Sequence, residues 1–329
     1  MSKLRAGLIG FGAMGRNHAR VLSSLEGVEL IGIVDPVVSK TNSNVLENVE
    51  ELIDLKPDYC VVATPTISHD EVALRLAEAD INALIEKPLA ASYEAASNIT
   101  ETFRKMGLIG AVGHIERFNA SLVQTRRRIK EGQLGEIFQI STSRQGPFPS
   151  RVGDIGVVKD LATHDIDLSM WLVDSSYSQV SAQIAAKSGR LTEDFLIAVG
   201  RLECGIITSH IVNWLSPFKQ RLTIITGEMG ALVADTVNSE LTFHRNGSIR
   251  TEWGDLARLK GVSEGDSTRY AFAKPEPLLT EHLEFVRALR GEESEIVSMR
   301  EGAEIVRVAE AMIESSLNNE NIQLGNFKK

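Results

Sequence analysis

The stretch Leu8-Ile9-Gly10-Phe11-Gly12-Ala13-Met14-Gly15 follows a short apolar run at the start of the chain. In such a motif the first glycine permits a tight turn, the second lets the backbone approach a pyrophosphate, and the third lets a helix pack closely on a sheet. The helix that begins there points its N–H groups and its positive dipole end at the phosphates. The stretch therefore predicts a Rossmann-type parallel sheet with a dinucleotide site.

Asp35 stands at the end of the next apolar run, residues 28–34, and Pro36 follows it. A carboxylate at this point accepts hydrogen bonds from the adenosine ribose hydroxyls and repels a 2′-phosphate. The alternative is a purely structural glycine turn, but the strand at 6–9 and the helix at 14–25 supply the context that the motif requires. We expect NAD, rather than NADP, as the cofactor.

Composition and charge exclude several classes of protein. The 329 residues, 43% of them hydrophobic and 24% charged, are enough for two globular domains. A net charge of −9 argues against a nucleic-acid partner. Because the sequence has no apolar run of about 18 residues and enters a strand at once, we expect no membrane association and a cytoplasmic protein. Cys60 and Cys204 lie in apolar runs, so both are expected in the core.

Strands and helices alternate as far as about residue 115, which is typical of a doubly wound parallel sheet. Ser68 and Glu71 have the spacing of a capping box at the start of one of these helices. The remaining strands are predicted at 58–63, 82–85 and 108–112, and the helices at 70–79 and 92–106.

Beyond residue 117 the pattern changes to alternating strands with few helices, which indicates a second domain, of α+β type, with a large open and mostly antiparallel sheet. We therefore divide the chain into a Rossmann domain, 1–117, and a substrate-binding and oligomerisation domain, 118–329. Residues 245–277 have no period and are interpreted as a functional loop or an oligomer arm. Strands are predicted at 136–142, 179–185, 195–202, 205–211, 221–226 and 240–243, and helices at 123–131, 163–173, 281–289 and 302–317, the last capped by Ser298 and Glu301.

Two further segments carry chemistry. Glu86-Lys87-Pro88 follows the strand at 82–85, so Lys87 stands at the carboxyl edge of the sheet, where ligands bind. Farther on, Asp160 and His164 are four residues apart and share one face of the helix, as do Thr163 and Asp167. Asp160 or Thr163 as a helix cap, with His164 in the core, is the structural alternative. A metal site would need further ligands, so no metal is expected.

These motifs resemble those of the Gfo/Idh/MocA oxidoreductases in order and spacing over nearly the whole chain. The resemblance rests on the glycine motif, Glu86-Lys87-Pro88, Val112-Gly113-His114-Ile115-Glu116-Arg117-Phe118-Asn119 and the Asp160/His164/Asp167 set. It implies a sugar or polyol held between a Rossmann domain and an open-sheet domain that is often used for dimer or tetramer contacts. Ala162 and Ala120 replace a glycine and a proline that are common in the family, and neither touches the reactive side chains.

The resemblance also implies residue roles. Lys87, Asp160 and His164 form the catalytic set. The cofactor is expected at Gly10, Phe11, Gly12, Ala13, Met14, Gly15, Asp35, Thr64, Pro65, His69, Glu86 and Lys87, and the substrate at Lys87, Arg117, Asn119, Arg144, Arg151, Asp160 and His164.

Within the family the segments 146–158 and 213–219 are most similar to UDP-N-acetylglucosamine 3-dehydrogenases. Arg144, Arg151 and Lys219 then become candidates for a diphosphate, for which arginine offers a paired donor fork. We expect oxidation of the 3-hydroxyl of a UDP-N-acetylhexosamine by a homodimer or homotetramer. The alternatives are a dehydrogenase of a free sugar, aminosugar or inositol, an NAD-dependent glycosidase on the same scaffold, and a non-catalytic NAD sensor.

The reaction needs a base for the hydroxyl proton and a cation for the developing alkoxide. Imidazole titrates close to working pH, so His164 suits the base and Lys87 the cation. Lysine is the alternative base if its pKa falls by about three units. The sequence leaves this choice open.

Overall fold

The computed structural model describes residues 3–36, 45–149, 155–247 and 263–325. The chain divides into two compact units. The first unit comprises Met1–Ile115, Pro149–Thr163 and Glu276–Glu310, and the second comprises Glu116–Phe148, His164–Pro275 and Ala311–Lys329. The chain thus passes between the units several times, whereas the sequence prediction places a single boundary after residue 117.

A parallel sheet forms the centre of the first unit, as the sequence predicts. Among the described residues it has six strands, in the order β3-β2-β1-β4-β5-β6. The order reverses between β1 and β4, which is the doubly wound arrangement. The strands are β1 (Leu4–Ile9), β2 (Val28–Val34), β3 (Val45–Leu46), β4 (Tyr59–Val62), β5 (Asn82–Glu86) and β6 (Gly110–Gly113).

Helices cover both faces of this sheet because each strand carries apolar side chains on both sides. One core cluster includes Leu52, Leu76 and Ile99, and the other includes Leu22 and Phe285. The helices in these two layers are α1 (Ala13–Ser24), α2 (Val49–Asp54), α3 (His69–Glu78), α4 (Tyr93–Met106) and α7 (Pro277–Leu289), with the first part of α8 (Met299–Asn318).

The two predicted capping boxes have different outcomes. At α8, Ser298 Oγ accepts from the Glu301 backbone N–H at 3.2 Å, and Glu301 accepts from the Ser298 N–H at 2.9 Å, which confirms the box. At α3 the box is wrong. Ser68 lies in a short 3-10 turn and donates instead to the Pro65 carbonyl at 2.8 Å. The hydroxyl of Ser68 thus bonds to the preceding turn at Pro65 and is not available to cap the helix.

The second unit is built on a large mixed sheet, which confirms the predicted class. Its nine described strands have the order β14-β13-β12-β11-β7-β10-β9-β8-β15, and only the β7–β10 pair is parallel. The strands are β7 (Ile137–Pro147), β8 (Tyr177–Ala185), β9 (Phe195–Leu202), β10 (Ile207–Asn213), β11 (Leu215–Gly227), β12 (Gly230–Asp235), β13 (Glu240–Gly247), β14 (Ser263–Arg269) and β15 (Ile322–Gln323).

Helices α5 (Ala120–Lys130) and α6 (Thr163–Val173) belong to this part of the chain, and a π-helical turn, Val158–Ala162, leads into α6. The aperiodic segment predicted at 245–277 is wrong in part, since β13 ends at Gly247 and β14 pairs with it. Residues 248–262 of that segment lie outside the described residues.

Three negative or corrective findings bear on function. Cys60 is buried, but Cys204 is exposed, so its predicted core position is wrong; it lies in the turn after β9. In the described ranges, no three His, Cys, Asp or Glu side chains are grouped in a way that could hold a metal ion. No helix in the described part of the chain has the length and apolar character to span a bilayer.

Candidate active site

The glycine turn has the geometry that the motif predicts. Gly10 has a φ of +94°, and a Cβ there would lie 2.5 Å from the Ala63 carbonyl oxygen. A Cβ on Gly15 would lie 2.0 Å from the Gly10 carbonyl, so the first turn of α1 needs a glycine to pack. Gly12 has no described atom within 4 Å of such a Cβ. That open space is what a pyrophosphate needs when it approaches the helix N-terminus.

Asp35 lies directly beside this turn. Its Oδ2 accepts a hydrogen bond from the Phe11 backbone N–H at 2.7 Å, so the carboxylate is oriented by the turn itself. Asp35 is partly exposed at the end of β2 and lines the same cavity as Gly10 and Gly12. A carboxylate in this position accepts hydrogen bonds from the two adenosine ribose hydroxyls of NAD and repels the 2′-phosphate of NADP.

A cavity of about 470 Å³ runs along the carboxyl edge of the parallel sheet. It brings together most of the residues that the sequence assigns to the cofactor. Its walls include Gly10, Gly12, Ala13, Met14, Asp35, Thr64, Pro65, Glu86, Lys87 and Asp160. Phe11, Gly15 and His69 are not among its lining residues, although Phe11 fixes Asp35 and Gly15 fixes α1.

Lys87 and Asp160 meet in this cavity although 73 residues separate them. Lys87 Nζ donates to Asp160 Oδ1 at 2.8 Å and to the Asp160 carbonyl at 2.7 Å. Their side chains are 11% and 2% exposed. The π-helical turn Val158–Ala162 carries Asp160, and such single π turns are common at functional sites. An ammonium group has three donors, and among the described residues this pair uses two of them, which leaves one for a ligand.

His69 supports the cavity wall from behind. Its ring nitrogens lie 2.9 Å from the Pro88 carbonyl oxygen and 3.0 Å from that of Thr64. It thereby joins the loop after β4 to the segment after β5. Burial lowers the pKa of His69, while the two carbonyl contacts oppose that shift. Its predicted contact with the cofactor remains a prediction, and its observed role is to position Thr64 and Pro88.

Glu86 contacts His18, which in turn contacts His282, and neither histidine was predicted as a site residue. His18 Nε2 lies 2.9 Å from Glu86 Oε1, and His18 Nδ1 lies 2.9 Å from His282 Nε2. All three side chains are buried. His18 and His282 are 264 residues apart, and each stands on an apolar helix face, where a histidine resembles an ordinary core residue. The sequence signal available was the position of His18, three residues after Gly15.

His164 and Arg117 are placed in the second unit, and both are buried. His164 occupies the first turn of α6. Arg117 Nε donates to Asp167 Oδ1 at 2.9 Å, and its guanidinium lies 5.9 Å from the centre of the Trp171 ring. Asp167, the alternative metal ligand of the sequence prediction, is therefore the ion-pair partner of Arg117. The spacing of Thr163 and Asp167 does not make them partners in this structure, since Thr163 Oγ1 donates to the Lys159 carbonyl.

Arg144 lies in a buried ion-pair network. Its Nε donates to Asp165 Oδ1 at 3.0 Å, and its Nη1 donates to Glu116 Oε1 at 2.9 Å. Burial raises the pKa of Asp165. Burial also acts to raise the pKa of Glu116, but Arg144, together with Arg221 and Thr236, outweighs it and the pKa is lowered. Arg144 therefore directs its Nε and Nη1 donors at Asp165 and Glu116, not at a substrate phosphate.

Asn119 has a structural task as well. Its side-chain oxygen accepts from the Ser121 backbone N–H at 3.1 Å and caps α5, and its amide donates to the Thr236 carbonyl at 3.1 Å. Arg151, the other predicted phosphate contact, lies outside the described residues. Lys219 is exposed on β11.

Two family models together match most of the chain. Residues 4–114 match the Gfo/Idh/MocA family described as "Oxidoreductase family, NAD-binding Rossmann fold", and residues 126–324 match its "C-terminal alpha/beta domain". The chain therefore belongs to the Gfo/Idh/MocA oxidoreductase family, and its first domain is an NAD-binding Rossmann domain.

Curated relatives of known name are distant. The chain is 27% identical over 193 residues to scyllo-inositol 2-dehydrogenase (NAD(+)) of Bacillus subtilis, a match that covers 54% of this chain and 56% of that enzyme. It is 29% identical over 189 residues to UDP-N-acetylglucosamine 3-dehydrogenase of Acidithiobacillus ferrooxidans, covering 55% of this chain and 58% of that enzyme. The matches thus span little more than half the length of these relatives.

Solved structures share the whole fold. The UDP-N-acetylglucosamine 3-dehydrogenase GnnA from Acidithiobacillus ferrooxidans has a TM-score of 0.81 at 23% identity, over 96% of this chain and 98% of that chain. GenD2 from gentamicin A biosynthesis, in complex with NAD, has a TM-score of 0.82 at 19% identity, over 99% of this chain and 97% of that chain. At such identities the likeness establishes the fold alone.

Proposed function

We propose that this protein is an NAD-dependent dehydrogenase that oxidises a secondary alcohol of a sugar. The observation that carries the proposal is the Lys87–Asp160 pair, which lines the cavity that begins at the glycine turn. A nearly buried ammonium beside a dinucleotide site is suited to stabilise charge that develops on a substrate oxygen. A protein that only senses NAD has no need of such a pair.

We assign the parts of NAD to successive positions along the cavity. Asp35 receives the adenosine ribose, and the open space at Gly12 receives the pyrophosphate. By exclusion the nicotinamide is assigned to the other end of the lining, at Glu86, Lys87 and Asp160. When bound there, NAD supplies the redox step by accepting a hydride.

The protein side chains remove the hydroxyl proton and stabilise the charge that develops on the substrate oxygen. Lys87 uses its remaining N–H to hold the substrate oxygen, since the other two donate to Asp160. Asp160 fixes the lysine, and its own place on the π-helical turn is maintained by a backbone bond from its N–H to the Gly156 carbonyl at 3.0 Å. We assign proton removal to His164, because a neutral imidazole accepts a proton near working pH.

For the substrate we propose the 3-hydroxyl of a UDP-N-acetylhexosamine. The support is the relationship to UDP-N-acetylglucosamine 3-dehydrogenase. Because Arg144 is engaged by Asp165 and Glu116, the diphosphate contact is assigned to Arg151 and Lys219. The second candidate is an inositol, which is favoured by the equally distant relationship to scyllo-inositol 2-dehydrogenase.

We also propose that the protein is a homo-oligomer that uses the open face of the large sheet. Ile197 and Val199 on β9 point to the same face as Ile207 and Ile211 on β10, and Ile211 is paired directly with Ile197. All four are between 37% and 50% exposed. Contiguous exposed apolar side chains of this kind mark protein interfaces. An Ile197→Lys substitution should shift the mass measured by light scattering toward the monomer, and an unchanged mass would refute this face as the interface.

The substrate is tested by following NADH absorbance with UDP-sugars, free aldoses, aminosugars and inositols. We expect UDP-N-acetylhexosamines to give the highest kcat/KM. Arg151→Ala should raise KM for them more than it lowers kcat, because a remote phosphate contact is made in both ground and transition states. Arg104→Ala, an exposed arginine on α4, is the control. Equal activity on inositols would select the second candidate, and release of free sugar without net NADH would identify a glycosidase.

A further inference from the structure

A buried chain of hydrogen bonds leads from α7 through α1 to the end of β5, and the proposed reaction does not use it. It consists of His282, His18 and Glu86, joined by two contacts of 2.9 Å. His282 and His18 are fully buried, whereas Glu86 is slightly exposed and lines the cavity. The chain therefore has one end in the interior and the other at the candidate cofactor site.

The donors and acceptors fix the direction of this chain. Glu86 Oε2 accepts from the Lys87 backbone N–H at 3.2 Å, and Oε1 faces His18 Nε2. Both carboxylate oxygens therefore act as acceptors, as they do in the ionised form. Among the described residues His282 Nδ1 has no hydrogen-bond partner, so the ring proton of His282 belongs on Nε2, where it donates to His18 Nδ1. His18 then donates through Nε2 to Glu86.

Other titratable groups lie close to Glu86. Burial, and secondarily His18, lower the pKa of His282 to about 3, so this ring is neutral. Burial also raises the pKa of Glu281, the neighbouring carboxyl on α7, and the charge of Glu86 adds to that effect. Burial lowers the pKa of His69. Lys87 is balanced by Asp160 at 2.8 Å.

Glu86 itself is ionised. Burial alone would raise the pKa of this carboxyl, but its hydrogen bond to His18 and the neighbouring positive charges outweigh burial and lower the pKa. The carboxylate is also packed in place, because a Cβ on Gly113 would lie only 3.2 Å from its Cδ. An ionised carboxylate is thus held at this end of the cavity.

We propose that the His282–His18–Glu86 chain fixes an anion at the nicotinamide end of the cavity and thereby selects NAD⁺ over NADH. The nicotinamide ring is cationic in NAD⁺ and becomes neutral when it has received a hydride with its two electrons. A buried carboxylate therefore attracts the oxidised cofactor and not the reduced one. Glu86 acts on the cofactor directly, whereas His18 and His282 are positioning residues that act through it. The inference rests on the proposed placement of NAD but is independent of the sugar.

The test compares two conservative substitutions, Glu86→Gln and Glu281→Gln. The Kd values for NAD⁺ and NADH are measured by calorimetry without any sugar. Glu86→Gln should raise the ratio Kd(NAD⁺)/Kd(NADH) about tenfold, which corresponds to a bound couple about 30 mV more positive. Glu281→Gln replaces a neutral buried carboxyl by a neutral amide and should leave the ratio unchanged.

His18→Gln is the second variant, and it should shift the ratio in the same direction by a smaller factor, because Glu86 keeps its charge but loses a donor. An unchanged ratio in folded Glu86→Gln, or an equal shift in Glu281→Gln, would overturn the proposal. If Glu86→Gln does not fold, an unchanged ratio in His18→Gln overturns it. Failure of the unmutated protein to bind either form of NAD would instead refute the cofactor placement on which the proposed function stands.

Discussion

Replacing Lys87 with Met separates the stability of the candidate site from its chemistry. Methionine keeps the length of the side chain but leaves the Asp160 carboxylate, which is 2% exposed, without its ammonium partner. Breaking a buried ion pair from one side destabilises a protein by about 3–5 kcal/mol. In a unit of this size such a loss lowers Tm by about 10 °C.

The double variant Lys87→Met/Asp160→Asn removes both charges. Because no buried charge is then left without a partner, we expect it to recover most of the lost stability. It should not recover activity. Both variants lose the cation that holds the developing alkoxide, so kcat should fall by at least about a hundredfold in each.

Thermal unfolding measures Tm, and NADH absorbance measures kcat. Calorimetry with NAD alone serves as the binding control. NAD affinity should change much less than kcat in both variants. Near-normal turnover in Lys87→Met would remove Lys87 from the catalytic set. A double variant as unstable as the single one would refute the account of the ion pair.

Three further outcomes follow from the same structure. Asp35→Ser should weaken NAD binding and narrow the gap to NADP, and tight NADP binding by the unmutated protein would contradict this. Arg144→Ala should lower the free energy of unfolding by about 3–5 kcal/mol, whereas the exposed Arg104→Ala should change it by less than about 1 kcal/mol; equal effects in chemical denaturation would contradict the buried network. Burial lowers the pKa of His210 to about 4. Between pH 6.5 and 4 the unfolded chain thus binds a proton there that the native protein does not, so stability falls as pH falls, by about 3 kcal/mol for this group. His210→Gln should flatten the stability–pH curve in that range, and an unchanged slope would refute the assignment.

The parallel sheet was predictable because its signals are local. The glycine motif lies within eight consecutive residues, Leu8 to Gly15, and Asp35 follows a strand whose apolar run matches the observed bounds of β2. The second sheet was predictable in class and in the positions of β7 to β11 and β13, whereas β12, β14 and β15 were not predicted. β12 and β14 lack a clear alternation, and both become strands through their pairing with β13. Ser68 was misassigned because the turn at Pro65 competes for its hydroxyl.

The candidate site was predictable as a set of positions but not as a set of contacts. Lys87 and Asp160 were each singled out, yet nothing in the spacing indicates that they form a pair across 73 residues. The partners of Arg144 lie 21 and 28 residues away, so its charge looked available for a ligand. His18 escaped notice because its partners, too, are distant in the chain.

Transfer of deuterium to the cofactor tests the central claim most directly. The protein is incubated with NAD and ring-deuterated UDP-N-acetylglucosamine, glucose or inositol, and the recovered cofactor is analysed by mass spectrometry. The account predicts that deuterium appears on the nicotinamide ring together with an equal amount of keto sugar, and that Lys87→Met suppresses both. Binding of NAD with no label transferred from any of these substrates would contradict the claim that this protein oxidises a sugar alcohol.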